Sequence, residues 1–291
     1  MNPTSNDASH FSSTPRATQL WASAQAGSKP LAYTALGLLI CAALTSLLIA
    51  ADPRLFQGVS VWWKPWKFQL STGVFLWTLA YFMAFLPATQ RTSYAAKYIV
   101  WGSLLASAYE IIYITVQAAL GQASHFNVAT PLLGLAYNVM ALGALMLTVA
   151  ALVLGVLIFK HAKNTLSNAM RHAITWGLLA SFALGSFTGM YVGSKRTTGH
   201  WVGGVASDAG GWLIFNWSRT GGDLRVAHFF SLHAMQILPL FALGLVVLSA
   251  RSSAFKLSDT ALTRWVWAAS LAYSAFCIAT FVQAVRGIPF A

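Results

Sequence analysis

Apolar residues run through this chain in blocks of about twenty, the length that crosses a bilayer's hydrocarbon core, with short polar stretches between them. Seven blocks are present: about Leu31–Ala50, Phe68–Leu86, Tyr98–Leu120, Pro131–Phe159, His172–Val192, Val226–Ala250 and Trp265–Val285. The pattern predicts an all-α fold, a seven-helix transmembrane bundle with a Gly-rich loop between the fifth and sixth spans. Residues 1–28 are rich in Ser, Thr, Ala and Asn and lack helical apolar periodicity, so a disordered tail is expected before a membrane domain over 29–291. A cleaved leader with Leu31–Ala50 as its core is the alternative. That run is long for a leader, and an uncleaved first span is preferred.

Polar positions inside the blocks carry as much information as the blocks. In the third span Ser103, Ser107, Glu110, Tyr113 and Gln117 recur at steps of four, three, three and four, which draws one polar stripe along a helix. Glu110 is the chain's only glutamate and falls near mid-span. An ionisable group at that depth is costly, so it is expected to face the bundle with a partner, or to be protonated. Pro239 inside the sixth span removes a backbone donor and predicts a kink. The segment Trp62–Lys67, WWKPWK, mixes indoles and ammonium groups at a membrane boundary and reads as an aromatic belt. In the alternative, Lys64 or Lys67 turns inward toward Glu110 or an anionic ligand.

Composition sharpens this picture. The chain is 57% apolar and 8% charged, against the quarter usual for soluble domains. Its formal charge of +12 would suggest nucleic acid in a soluble protein, but here the basic residues flank the spans, where they contact anionic lipid and set topology. Nucleic-acid binding is therefore not expected. The connectors after spans two, four and six hold Arg91, Lys97, Lys160, Lys163, Arg171, Arg251, Lys256 and Arg264. Arg54, Lys64, Lys67, Lys195, Arg196, Arg219, Arg225 and Arg286 lie on the other side, several in one long loop that counts less. The bias places the N-terminus inside and the C-terminus outside. WWKPWK, the ASHFN connector (Ala123–Asn127) and the glycine loop then share the outer face. Cys41 and Cys277 fall within spans and read as small core hydrophobes.

The candidate chemistry gathers in Ser194–Leu240, which holds three of the seven histidines and two of the six acids. His228 and His233 are five residues apart, about 140° around a helix, so one straight helix cannot direct both at one ion. His125 and His200, with Asp208 or Asp223, would complete a site, and imidazole with carboxylate suits iron, zinc or copper. Candidate metal ligands are thus His125, His200, Asp208, His228 and His233, with His228, His233 and Gln236 as cofactor contacts. Glu110, Asp223 and Arg225 are the candidate catalytic groups: Asp223 would orient a histidine and Arg225 would hold an anionic group. The plain reading of Gly221–Arg225, GGDLR, is a helix cap followed by a snorkelling arginine. His161 and His172 flank an inner connector and are expected in solvent.

Seven spans invite comparison with rhodopsins, but the seventh has no lysine for a Schiff base. His200–Gly203, Asp208–Gly211, Gly221–Arg225, His228–Phe229 and Leu232–Gln236 form an H-x-V-G, D-x-G-G, GGDLR, HF, LHAMQ pattern, joined by Ala123–Asn127. This pattern resembles a family of uncharacterised bacterial multipass membrane proteins. The resemblance implies a bacterial inner membrane and carries over no activity. Two function classes follow. In one, the outer cluster holds a transition metal or haem, in a membrane oxidoreductase or its redox partner. In the other, the cluster and the Glu110 stripe line a route for a small solute or protons. A non-catalytic assembly or sensor subunit is the third. The first is favoured, because clustered histidines suit a metal better than solute passage.

Overall fold

The computed structural model describes residues 17–195, 198–251 and 256–290. Eight helices follow one another: α1 Ala17–Ala51, α2 Trp63–Met83, α3 Ala88–Arg91, α4 Tyr94–Ala119, α5 Pro131–His161, α6 Asn168–Ser194, α7 Leu224–Arg251 and α8 Asp259–Val285. All but the short α3 match the seven apolar blocks. Six of them (α1 and α4 to α8) are long and apolar enough to cross a membrane, which makes this an all-helical, multipass integral membrane protein. The seventh, α2, has 21 residues but is diluted by Lys64, Lys67 and Gln69. It lies along α1, tied by Thr45 Oγ1 donating to Gln69 Oε1 at 2.8 Å and Trp66 Nε1 to Ser46 Oγ at 2.9 Å.

Local chemistry sets the helix boundaries. Ser93, Thr130, Ser167 and Ser258 each accept a hydrogen bond from the backbone N–H three residues on, the N-cap arrangement that starts α4, α5, α6 and α8. α7 continues as helix through Pro239.

The expected tail is corrected in part. Residues 1–16 lie outside the described residues, but Ala17–Gly27 is helical and joins α1 through an extended break at Ser28 (φ −159°, ψ 105°). Pro30 favours that break: its ring removes the N–H that would bond Ala26 and crowds the carbonyl there. Arg91 donates to the orphaned Ala26 oxygen at 2.6 Å instead. The segment is held by Trp21, whose ring lies 5.4 Å from both Tyr33 and Trp77, and by Gly27, which sits against the Ala80 carbonyl where a Cβ would collide. One indole and small-residue contact suffice, and neither produces apolar periodicity.

As helices alternate in direction, the connectors at 52–62, 120–130 and 195–223 and the last residues after α8 meet at one end of the bundle. Arg54 Nη1 donates to Ala119 O at 2.8 Å, Asp208 N to Gln57 O at 2.9 Å, and the Phe126 ring is 6.5 Å from that of His200. Phe290 packs edge-on against Trp217 at 5.7 Å. The three chemically unusual connectors therefore form one cap. The main apolar core lies toward the other end, around Leu31, Leu79, Leu154, Ile174 and Met235, all 0–1% exposed.

Candidate functional site

The glycine loop is pinned by two short strands, Trp201–Val202 pairing antiparallel with Gly222–Asp223. Glycine is required just beyond that pairing: Gly204 (φ +64°) lies against the Thr220 carbonyl, with no room for a Cβ. This pairing brings Asp208, Asp223 and the first turn of α7 together around Arg225. Its Nη2 donates to Asp223 Oδ2 at 2.7 Å, Asp208 Oδ1 at 2.9 Å and Asn216 O at 2.7 Å, and its Nη1 to Asp208 Oδ2 at 3.2 Å. Asp223 also accepts from Ser218 N at 2.9 Å, and its side chain is wholly buried. His200 Nε2 lies 3.4 Å from Asp208 Oδ1.

These contacts fix the charges. Burial would raise the Asp208 carboxyl, but the His200 hydrogen bond and the Arg225 charge outweigh it and bring it down to about 2. Asp223 is likewise held below the usual carboxylate range, Arg225 overcoming the effect of burial. Burial pushes the His200 imidazole below its ordinary value against the pull of Asp208. It holds His125 well below, with help from the Lys64 charge. Both connector histidines are therefore neutral at pH 7.

Beneath this cap a cavity of about 620 Å³ runs between α2, α4, α5 and α6 to Glu110. Lys64, Lys67, Glu110, His125, His200, Asp208, Arg225 and His228 line it, with Phe68, Phe126, Tyr137 and Met140 among its apolar walls. A shallower depression of about 450 Å³ at the surface shares Gln57, His125 and Phe126 with it and forms a vestibule. Among the described residues, Lys67 Nζ donates only to neutral oxygens, Phe215 O at 3.1 Å and Asn216 Oδ1 at 2.9 Å. Among the described residues, Lys64 and Glu110 make no hydrogen bond and no ion pair within 4.0 Å. They are nonetheless near enough to feel one another's charge. The α4 stripe turns inward as expected, with Ser103, Ser107, Glu110 and Gln117 all at most 6% exposed. Ser103 Oγ, Ser107 Oγ, Tyr113 OH and Gln117 Oε1 have no hydrogen-bond partner among the described residues.

Several expectations are revised. His125, His200 and His228 share the chamber lining but form no ligand set: among the described residues, no group of three His, Cys, Asp or Glu side chains is arranged to hold a metal. His228 Nδ1 lies 3.1 Å from Thr188 Oγ1, and His233 Nδ1 is 3.2 Å from Gln236 Oε1. Gln236 in turn donates to Thr78 Oγ1 at 3.0 Å, so His233 and Gln236 link α7 to α2 away from the cavity. The five-residue spacing drives this divergence, because on the uninterrupted helix only His228 reaches the chamber. Asp223 orients no histidine; it pairs with Arg225, while Asp208 is the acid beside His200. Arg225 does not snorkel, and its two carboxylates occupy the fork proposed for an anion. Lys64 and Lys67 leave the aromatic belt and line the chamber. His172 packs on Trp267 at 5.4 Å instead of standing in solvent.

Tyr137, Asn138, Thr148 and Ser186 also line the chamber, with Ser186 Oγ donating to Thr148 Oγ1 at 2.8 Å between α6 and α5. They are spread over two helices and form no helical stripe, so no periodicity announced them. The fold and chamber define the class, a multipass membrane protein with a largely apolar cavity, bearing a few charged and polar groups, at one end of its bundle. No protein-family model, curated protein or solved structure matches the chain.

Proposed function

We propose that this protein is a seven-span carrier, or membrane receptor, for a small solute, with the chamber under the glycine loop as its binding site. The carrying observation is the 620 Å³ cavity that joins the capped end of the bundle to the buried Glu110. That volume lies within the range of small-molecule sites, and apolar walls with a few polar groups are their usual lining. α2 supplies the seventh span in this reading, its lysines tolerated because they face the chamber. Loop charge sets the capped end outside and residue 17 toward the cytoplasm, in an inner membrane of bacterial type. That no three His, Cys, Asp or Glu side chains are arranged as a ligand set among the described residues favours solute binding over metal or haem chemistry.

Access to the chamber tests the reading. In a Cys41→Ala, Cys277→Ala background, Ser186→Cys, deep on the chamber wall, should react with a small water-soluble thiol reagent. Leu142→Cys, on α5 at a position 57% exposed on the hydrocarbon face, should not. Equal inertness of the two cysteines would remove the chamber from consideration.

A further inference from the structure

The charges around the chamber balance. Lys64, Lys67 and Arg225 stand against Glu110, Asp208 and Asp223, three cations to three anions when the imidazoles are neutral. Arg225 is committed to both aspartates. What remains is two ammonium groups, three residues apart on one face of α2, and one carboxyl on α4, none of them in an ion pair among the described residues. An anion entering would find two cations to receive it, but would leave one uncompensated negative charge in a largely apolar chamber. That charge is expensive to hold. Protonation of Glu110 removes it.

Resting on the solute-binding reading, we propose that the chamber binds a small monocarboxylate with an apolar body, received by Lys64 and Lys67, together with one proton accepted by the Glu110 carboxylate. The apolar body matches Phe68, Phe126, Tyr137 and Met140 on the walls. One proton compensates one charge, so a monoanion fits and a dianion does not. No bond other than the O–H of Glu110 is made, and water supplies the proton. The other groups facing the chamber that titrate or carry charge are Lys64 and Lys67 from α2, His125 from the connector, Tyr137 from α5, His200 and Asp208 from the loop, and Arg225 and His228 from α7. α1 and α6 contribute none. Glu110 variants therefore separate its proton from that of a histidine.

The test is titration calorimetry of the full chain in detergent with benzoate and hexanoate, and in nanodiscs with palmitate to examine a bilayer source; benzamide and inorganic phosphate are comparators. Benzoate or hexanoate should bind with proton uptake, and affinity should weaken by about tenfold per pH unit on the alkaline side, the slope of one linked proton. Glu110→Gln, which keeps the shape of a protonated carboxyl, should bind with no proton uptake and a flat pH profile. Lys64→Gln should lose at least about tenfold in affinity, as for a removed charge partner; if it does not fold, the wild-type pH slope and Glu110→Gln still decide. Palmitate binding alone, with the same proton linkage, would place the source in the bilayer. Benzamide binding as well as benzoate, phosphate binding in their place, or uptake unchanged in Glu110→Gln would overturn the inference and leave the chamber intact. So would failure of every carboxylate while Ser186→Cys stays reactive. Failure of every probe with an inert Ser186→Cys would instead remove the chamber itself.

Discussion

Two groups of charges lie at the capped end of the bundle, and they are built differently. Around Arg225 every charge is engaged: the guanidinium touches two carboxylates and a carbonyl, and the wholly buried Asp223 also accepts from backbone N–H groups. A few residues deeper, among the described residues, Lys64 and Glu110 face a cavity without an ion pair, and hydroxyls of the same α4 stripe lack partners. A saturated network holds its shape and offers nothing to a ligand. An unsaturated one costs stability and persists where binding requires it. The Arg225 cluster is thus the clasp that closes the glycine loop, and Lys64 with Glu110 is the working site.

Stability measurements break or sharpen this contrast. Arg225→Met should be the most damaging, leaving Asp208 and Asp223 uncompensated at a loss of about 3 kcal/mol or more, as for one partner removed from a buried pair. Thermal unfolding in detergent reads it, and a loss below about 1 kcal/mol would mean the clasp is ornamental. Asp223→Asn should follow at about 2 kcal/mol, since it weakens charge-assisted bonds while keeping the shape.

Acid should loosen the clasp in two stages. His125 and His200 have folded values below the ordinary histidine value of 6.5, so their contribution is present above pH 6.5 and falls away below it. Asp208, at about 2 when folded against 3.8 ordinarily, contributes above pH 3.8 and loses that contribution as pH falls toward 2. Unfolding temperature followed from pH 8 to 3 should fall in both windows, and the lower step should shrink in Asp208→Asn. Glu110→Gln should have the smallest effect, under about 1 kcal/mol, because no ion pair is lost.

The residues that announced themselves in the sequence did so by repetition. Five polar positions at helical spacing marked the inward stripe of α4, and the long apolar blocks located α4 to α8, and the part of α1 beyond Ser28, within a few residues. Alternation of the helices placed the three unusual connectors together. The helix at Ala17–Gly27 went unread because one tryptophan and a close glycine contact hold it. The clasp was half legible: Asp208, Asp223 and Arg225 were singled out, but that both acids serve the arginine, and that Asp208 stands beside His200, depends on how the loop strands pair. The divergence of His228 and His233 followed from their spacing. The chamber itself was not legible, since Thr148 and Ser186 lie on different helices and meet only when α5 and α6 pack.

The central claim, a wet chamber that ends at Glu110, is reached most directly by infrared spectroscopy of the protonated carboxyl of Glu110. Its carbonyl stretch is assigned at acid pH as the band lost in Glu110→Gln, and the folded protein is then transferred into D2O. The band should shift within seconds, as for a group in contact with water. A Glu110 band that keeps its proton for hours in the folded protein would contradict the chamber and return the α4 stripe to a purely structural role.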